Sequence, residues 1–256
     1  MRYATISYDL KYDILLLLMK IYLYEDRKDV YIDAFYPERT GGPFPAVIIC
    51  PGGGYHIVGT TEARPVSDKF TDAGYAAFIL HYTVGSGAVF GVGGFKEFAP
   101  VLDLAAAVRL LHKNAVEYGI DPGRIVLNGY SAGGHLCAAG CFSGILTEAG
   151  ALPMAIILSY PMGGSTSILG VGNNRPDFDI AHMPYSDYAV VKKLPTFLWH
   201  ARDDLIVPYE ASVRLAARLT EEGIPHTFLT YEHGIHARPF FDPDWFYKAL
   251  DWLAAL

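Results

Sequence analysis

The feature that most constrains the fold of this chain is a five-residue segment, Gly129-Tyr130-Ser131-Ala132-Gly133. The run Ile125-Val126-Leu127-Asn128 before it predicts a strand, and residues 132–142 after it predict a helix. Small residues at 129 and 133 let a sharp turn pass close to neighbouring backbone, so that the Ser131 hydroxyl stands exposed at a helix N-terminus. The segment therefore predicts a strand-turn-helix unit with Ser131 as a candidate nucleophile; the alternative is a tight turn with an idle serine.

Short β-rich runs alternate with helical patterns along the chain, which predicts an α/β fold with a mostly parallel sheet and helices on both faces. Two runs, 46–50 and 155–158, are continuously apolar, as expected for central strands covered on both sides. At 256 residues we expect a single domain spanning 1–256. The predicted strands are 30–36, 46–50, 75–82, 125–128, 155–159, 196–200 and 227–231; the further predicted helices are 101–118, 208–223 and 242–256.

Two stretches, 85–98 and 163–190, do not fit this alternation. The first is rich in Gly and Phe, and the second in Gly, Asn, Pro and Tyr. Long loops in a compact domain are often functional. We therefore predict that both stretches form walls of a binding pocket.

Composition narrows the classes of partner. A formal charge of −7 without a run of basic residues argues against nucleic acid as a partner. The apolar run 14–19 is too short to cross a bilayer, so no membrane contact is expected. An odd count of three cysteines does not form a disulfide framework and favours a reducing compartment. These observations predict a soluble, cytoplasmic protein that acts on a small molecule.

A serine hydroxyl needs a base and an orienting carboxylate, which follow it in the chain order Ser, Asp/Glu, His. Two adjacent carboxylates, Asp203 and Asp204, come directly after the predicted strand 196–200, and spacing alone does not choose between them. Two histidines, His233 and His236, follow the strand 227–231. The carboxylate that does not orient the base is expected to cap a turn, and the remaining histidine is expected to have a packing or surface role.

Attack on a carbonyl creates an oxyanion, which backbone N–H groups stabilise. Three consecutive glycines at 52–54 follow a central strand and free the backbone to turn its amides inward. We predict an oxyanion hole from the amides of Gly53, Gly54 and Ala132; the alternative is a flexible glycine-rich turn. Tyr55, Tyr130 and His135, which adjoin these segments, are predicted to bind substrate.

No cofactor or metal is implied by the sequence. The run Gly85-Ser86-Gly87-Ala88-Val89-Phe90 has Phe where a dinucleotide fingerprint has its third glycine. His233-x-x-His236 has metal-ligand spacing but lacks a recognisably spaced third ligand. We therefore expect neither a nucleotide cofactor nor a metal ion in the reaction.

Taken together, these motifs resemble the short acetyl-esterase branch of the α/β-hydrolases, which includes xylan-deacetylase-like and hormone-sensitive-lipase-like carboxylesterases. The resemblance runs from about residue 30 to the C-terminus. It rests on Pro-Gly-Gly-Gly-Tyr at 51–55, Gly-Tyr-Ala-Ala-Phe at 74–78, Gly-Ile-Asp-Pro-Gly-Arg-Ile at 119–125, Gly-Tyr-Ser-Ala-Gly-Gly-His-Leu at 129–136 and Trp-His-Ala-Arg-Asp-Asp at 199–204.

The resemblance implies which of the paired residues act. In such enzymes the acid stands before a Val-Pro pair, which selects Asp204 ahead of Val207-Pro208. In this family the base is the histidine of a Glu-x-Gly-x-His motif. Residues 232–236 match this motif, which selects His236. The resemblance also implies that the substrates are short acyl esters, often acetyl groups on sugars. Because many members of the family form oligomers, it further suggests a homo-oligomer.

The chain departs from the family at two places. Relatives usually have Gly after the histidine, where this chain has Ala237, and an Asn-Tyr-Arg-like stretch in place of His81-Tyr82-Thr83. A peptidase with the same catalytic residues is the nearest alternative, but such enzymes usually carry a large extra domain. A catalytically silent binding protein on the same scaffold is the other, and such proteins commonly lack a catalytic residue.

Overall fold

A single sheet of eight strands organises the computed structural model, which describes residues 19–38, 41–163, 176–186, 193–237 and 243–256. The strands lie in the order β1-β2-β4-β3-β5-β6-β7-β8. β1 pairs antiparallel with β2, and β2 with β4, while the other neighbours are parallel. The strands are β1 Met19–Tyr22, β2 Tyr31–Phe35, β3 Phe44–Cys50, β4 Ala76–His81, β5 Ile120–Tyr130, β6 Ala155–Ser159, β7 Thr196–Ala201 and β8 His226–Tyr231.

Helices cover both faces of the sheet. Those of the described residues are α1 Arg64–Asp72, α2 Ala99–Lys113, α3 Ala132–Phe142, α4 Ile145–Glu148, α5 Tyr209–Glu221 and α6 Asp244–Ala254. Apolar residues of α1 and α6 pack in one core cluster, and those of α2, α3, α4 and α5 pack in the other. The sheet therefore lies between two helical layers, as the alternation of strands and helices predicted.

Strand β3 shows why the central strands are apolar throughout. Every residue of β3 is buried. Ala46, Ile48 and Cys50 belong to the core cluster of α2 and α3, whereas Val47 and Ile49 belong to the cluster of α1 and α6. Successive side chains of a strand point to opposite faces, so a strand covered on both sides needs apolar residues at every position.

The parallel direction of β3 and β5 to β8 brings the carboxyl ends of these strands to one edge of the sheet. The glycine-rich segment follows β3, and Ser131 follows β5. Asp203 and Asp204 follow β7, and the histidine pair follows β8. Residues far apart in sequence are thus gathered where open α/β sheets bind ligands.

The predicted strands are confirmed within one or two residues, except at β1 and β5. β1 was not predicted, and β5 begins at Ile120, five residues before the expected 125. The segment 121–123 forms an irregularity within β5, because Phe44 pairs with Ile120 while Ala46 pairs with Ile125. The Asp121 carboxylate accepts a hydrogen bond from the Gly123 amide at 2.8 Å and stabilises this local turn.

Helix boundaries differ in two further ways. α2 ends at Lys113 rather than 118, and residues 114–118 form turns. Helix α1 was not among the predicted elements.

Of the predicted loops, 85–98 contains two 3₁₀ helices, Gly85–Gly87 and Gly94–Glu97, whereas 163–190 lies partly outside the described residues. The start of the last predicted helix at 242 and most of the apolar run 14–19 also lie outside them.

Among the helices that the structure describes, none combines the length and apolar character needed to span a bilayer.

Candidate active site

The turn between β5 and α3 has the sharp geometry that its sequence predicted. Ser131 has φ 52° and ψ −116°, a conformation that non-glycine residues rarely adopt. A Cβ on Gly129 would collide with the backbone of residue 133, and one on Gly133 with the Cys50 carbonyl oxygen. Both glycines are therefore required by close backbone approach. The strain at Ser131 is of the kind found at functional sites.

The segment after β6 joins Ser131 to the neighbouring strand. The Ser131 amide donates to the Ser159 carbonyl at 3.0 Å, and the Met162 amide donates to the Ser131 carbonyl at 2.9 Å. Between these two points lies Tyr160, whose ring centroid is 4.5 Å from that of His236. One short segment, 159–162, therefore contacts both Ser131 and His236.

Of the two carboxylates, Asp204 contacts His236. Nδ1 of His236 donates to Oδ2 of Asp204 at 2.7 Å. The Asp204 side chain is fully buried, whereas the His236 side chain is 19% exposed. Because Nδ1 carries the proton in this bond, Nε2 of a neutral His236 is an acceptor. This arrangement gives His236 the tautomer that a general base needs.

Asp204 is held in its charged form by a set of donors. Its Oδ1 accepts the amides of Ile206 and Val207 at 2.8 and 2.9 Å, and its Oδ2 also accepts from Nε2 of His200 at 3.1 Å. Burial alone would raise the pKa of Asp204, but hydrogen bonds from His200 and His236 outweigh it and lower the pKa below its ordinary value. His200 is the penultimate residue of β7 and was not singled out from the sequence.

Asp203 holds the loop that carries His236. Its Oδ1 accepts the backbone amides of Gly234 and Ile235 at 2.9 and 3.0 Å, and its Oδ2 lies 3.2 Å from Nδ1 of His233. The hydrogen bond from the Ile235 amide lowers the pKa of Asp203, and His233 and the Gly234 amide lower it further; desolvation raises this pKa but is outweighed. The two adjacent carboxylates thus contact different histidines, and Asp203 has the turn-capping geometry that was the alternative to its orienting the base.

The glycine-rich segment folds into a compact loop. Gly53 and Gly54 have φ of 124° and 62°, which favour glycine. The amides of His56 and Ile57 donate to the Gly53 carbonyl at 3.0 and 3.3 Å. Among the described residues, the amides of Gly53, Gly54 and Ala132 have no hydrogen-bond acceptor. Three donors are therefore available at this edge of the sheet, as an oxyanion hole requires.

Tyr55 and His135 join this loop to the first turn of α3. The Tyr55 hydroxyl lies 2.8 Å from Nδ1 of His135, and Nε2 of His135 lies 2.6 Å from the Phe178 carbonyl oxygen. A carbonyl oxygen only accepts, so Nε2 carries the proton, and Nδ1 of the neutral ring accepts from Tyr55. Burial lowers the pKa of His135 to about 4, which keeps the ring neutral.

Both residues are fully buried in an aromatic cluster behind the loop. Tyr55 packs edge-on against Phe98, and His135 packs against Phe178 with centroids 4.3 Å apart. The predicted contact of Tyr55 and His135 with substrate gains no support from this arrangement, because neither side chain has exposed surface. Their position is that of residues that fix the loop from behind. The cluster comprises Tyr55, Phe90, Phe95, Phe98, His135 and Phe178.

Tyr130 lies in the other core. Its side chain is fully buried, its ring packs on Tyr160 and Trp245, and its hydroxyl accepts from the Asn128 amide at 2.9 Å. The alternation of side chains along β5 directs residue 130 toward α1 and α6. The structure therefore places Tyr130 in the packing beneath the site, with no surface to offer a substrate.

The two departures from the family pattern have local explanations. Ala237 has φ 65°, a left-handed conformation that explains why relatives have glycine there. At the second place, Nη2 of Arg27 lies 2.7 Å from Oγ1 of Thr83, and the Thr83 amide donates to the buried Asp103 carboxylate at 2.8 Å. Arg27, from the segment between β1 and β2, thus contacts Thr83, the residue that stands at the last position of this departure.

Two buried residues beside the site were not predicted. Glu62 lies in the turn before α1 and Tyr160 directly after β6, and they are only 5% and 1% exposed. The Tyr160 hydroxyl donates to Oε1 of Glu62 at 3.1 Å. The burial of a glutamate is the unusual observation here. The surrounding sequence, Thr60-Thr61-Glu62-Ala63-Arg64, contains no signal that Glu62 is buried.

Comparison with known proteins shows which proteins this chain resembles. A family profile, BD-FAE, matches residues 32–151. Endo-1,4-beta-xylanase B of Butyrivibrio fibrisolvens is 29% identical over 215 residues, which are 78% of this chain and 33% of that protein. The acetylxylan esterase of Xylanibacter ruminicola is 32% identical over 103 residues, which are 40% of this chain and 19% of that protein. The chain thus spans a third or less of these two relatives.

A solved structure resembles nearly the whole chain. An acetyl ester-xyloside bifunctional hydrolase from Caldicellulosiruptor lactoaceticus has a TM-score of 0.77 and 27% identity, covering 92% of this chain and 95% of its own. The sheet order, the strained serine and the matched sequence motifs agree with this similarity. The chain therefore has the α/β-hydrolase fold, and the proteins that it resembles include an acetylxylan esterase and an acetyl ester hydrolase.

Proposed function

We propose that this protein is a serine esterase that hydrolyses short acyl esters through Ser131, His236 and Asp204. The observation that carries the proposal is the hydrogen bond of His236 to the buried Asp204, at the sheet edge where β5 presents the strained Ser131. A serine, a base and an orienting carboxylate at one edge form the unit that acyl transfer needs. The names of the relatives support the same reaction class.

In this mechanism, Nε2 of His236 takes the proton of the Ser131 hydroxyl as its oxygen attacks the ester carbonyl. The resulting oxyanion accepts hydrogen bonds from the amides of Gly53, Gly54 and Ala132. His236 then protonates the leaving alcohol, and water hydrolyses the acyl-enzyme in a second attack. Asp204 stabilises the imidazolium that forms in each step.

Short acyl groups are favoured by the aromatic cluster behind the oxyanion loop. Side chains of this cluster, Tyr55 and Phe95 included, are buried against one another between the loop and α3. We infer that this packing leaves little room for a long acyl chain behind the loop. Sugar acetyl esters are the substrates that we propose, because the similar proteins include an acetylxylan esterase and an acetyl ester-xyloside hydrolase.

The cysteines fit the predicted compartment. Cys50, Cys137 and Cys141 are all buried and free. Free thiols agree with a reducing environment, so a cytoplasmic location remains our proposal. A homo-oligomeric state and a single-domain organisation likewise remain predictions.

The proposed function is tested with p-nitrophenyl esters of two, four, eight and twelve carbons, together with acetylated xylo-oligosaccharides. We expect turnover that is highest for acetate and is lost in Ser131→Ala and His236→Ala. Thr220→Ala, which removes an exposed hydroxyl from α5, is the matched control. Activity that persists in Ser131→Ala would exclude the mechanism, and absence of ester turnover would favour a silent binding protein.

A further inference from the structure

A second buried carboxylate, that of Glu62, is linked to the proposed base His236 through Tyr160. The mechanism above does not use this carboxylate. It is 5% exposed and comes from the turn before α1, a different part of the chain from Asp204. A buried carboxylate is costly unless it is hydrogen-bonded. Its partner is the Tyr160 hydroxyl, at 3.1 Å from Oε1. The pair therefore has a defined geometry inside the protein.

Tyr160 connects this carboxylate to His236. Its ring centroid lies 4.5 Å from that of His236, with the planes inclined at 58°. The Tyr160 backbone has φ 37°, a strained conformation, and its amide donates to the Trp199 carbonyl at 2.8 Å. Strained residues persist where the surrounding structure fixes them. The ring is therefore held at both ends, by its backbone and by its hydroxyl.

Glu62 also lies against the oxyanion loop. A methyl group on Gly52 would lie 3.6 Å from Oε1 of Glu62 and 3.1 Å from Cβ of Ser131. One on Gly59 would lie 3.1 Å from Oε2 of Glu62. The amide of Gly59 donates to the Gly52 carbonyl at 2.8 Å and closes the loop at this point. The carboxylate thus lies between the loop and the Tyr160 ring.

We propose that Glu62 and Tyr160 are positioning residues, which hold the His236 ring through its contact with the Tyr160 ring and set its distance from the oxyanion loop. The inference rests on the proposed function, because it assigns these residues a part in the same reaction. Asp204 fixes one nitrogen of His236 by a hydrogen bond but leaves rotation about that bond free. The Tyr160 ring, anchored by Glu62, limits this rotation, so that Nε2 is directed toward Ser131.

The hydroxyl of Tyr160 has the properties that an anchor needs. Burial, followed by the negative charge of Glu62, raises the pKa of Tyr160 well above its ordinary value. The phenol therefore remains a donor over the working range of an esterase, and the carboxylate accepts. A glutamine at 62 offers an amide oxygen in the same place, whereas an alanine offers no acceptor.

The test compares Glu62→Gln, Glu62→Ala, Tyr160→Phe and the double variant Glu62→Ala/Tyr160→Phe in hydrolysis of p-nitrophenyl acetate. We expect Glu62→Ala and Tyr160→Phe each to lower kcat about 10- to 100-fold with KM changed less than about twofold, because misplacement by about 1 Å has effects of this size. Glu62→Gln should keep kcat within about threefold of the parent. The double variant should be no slower than Glu62→Ala, because both changes break one unit.

Glu221→Ala, which removes an exposed glutamate from α5, is the matched control. The inference is overturned if folded Glu62→Ala and Tyr160→Phe keep the parental kcat, if their effects multiply in the double variant, or if the loss is in KM alone. Glu62→Gln keeps the test informative where Glu62→Ala fails to fold: a kcat that falls as far as in Tyr160→Phe would contradict anchoring by hydrogen bond.

A second measurement is independent of turnover. The tyrosine ring current shifts the ring-proton resonances of His236, which are assigned by their absence in His236→Ala. We expect these resonances to move in Glu62→Ala and to remain near their parental positions in Glu62→Gln and Glu221→Ala. If the parent hydrolyses no ester, the proposed function fails, yet this spectrum still decides whether Glu62 positions His236. Unchanged resonances in Glu62→Ala would overturn the inference.

Discussion

Nδ1 of His236 lies 2.7 Å from Oδ2 of Asp204, although 32 positions separate the two residues in the chain. The neighbouring Asp203 contacts His233 and the amides of the same loop. One Asp-Asp pair therefore serves one loop in two ways: Asp204 contacts the side chain of the proposed base, and Asp203 fixes the backbone before it. This division of roles gives separate expectations for the two carboxylates.

Asp204→Asn should lower kcat for p-nitrophenyl acetate by roughly 10³- to 10⁴-fold, because an amide does not hold His236 in the required tautomer. The asparagine oxygen still accepts the amides of Ile206 and Val207, so the fold should be retained. Asp203→Asn is the paired variant and should lower kcat far less than Asp204→Asn does. Steady-state kinetics of the two decide the assignment; a larger loss in Asp203→Asn would reverse it.

Asp203→Ala should lower kcat about tenfold, since the loop before His236 loses its acceptor for two backbone amides. Asp203→Asn keeps an oxygen for these amides and should remain closer to the parent. Hydrogen exchange at Gly234 and Ile235 should quicken in the alanine variant and change little in the asparagine variant. Parental exchange together with parental kcat in Asp203→Ala would show that this carboxylate does not fix the loop.

Gly133→Ala should destabilise the fold by about 3 kcal/mol and abolish esterase activity, because the added methyl group meets the Cys50 carbonyl oxygen beside the oxyanion loop. Gly91→Ala is the control, since a methyl group there meets no atom within 4 Å, and should change stability by about 0.5 kcal/mol or less. Urea unfolding followed by tryptophan fluorescence measures both. Equal stability of the two variants would contradict the close backbone approach.

The stability of the fold should decrease as the pH falls from about 6.5 to about 4, because His135 is kept neutral by burial. Its pKa is lowered to about 4 in the folded protein, against 6.5 for the free side chain, so the unfolded chain binds a proton in this interval and the folded chain does not. The loss amounts to about 3 kcal/mol across the interval, and the contribution is complete above pH 6.5.

The measurement is the free energy of unfolding in urea at several pH values for the parent and for His135→Gln. Glutamine can donate to the Phe178 carbonyl and does not titrate in this range. Its stability should therefore depend less on pH between 6.5 and 4. An identical slope in the two proteins would assign the dependence to other groups.

The sequence by itself determined the unit around Ser131 and the strands that carry it. Glycines at 129 and 133 are needed because backbone atoms pass within contact distance of both, and that requirement is local enough to read from five residues between an apolar strand and a helix. The apolar runs of β3 and β6 were recognised because a strand buried on both faces has no polar position.

Only the tertiary structure decided which residue meets which at the sheet edge. Residues alone left Asp203 and Asp204 open, since both follow β7, and the choice depends on which carboxylate the loop after β8 approaches. The burial of Tyr55, Tyr130 and His135 depends on side chains from distant elements, which short-range spacing does not contain. Glu62 and Tyr160, 98 positions apart, meet only because the turn before α1 and the segment after β6 come together in the folded chain, and a contact across such a separation leaves no periodic trace in the sequence.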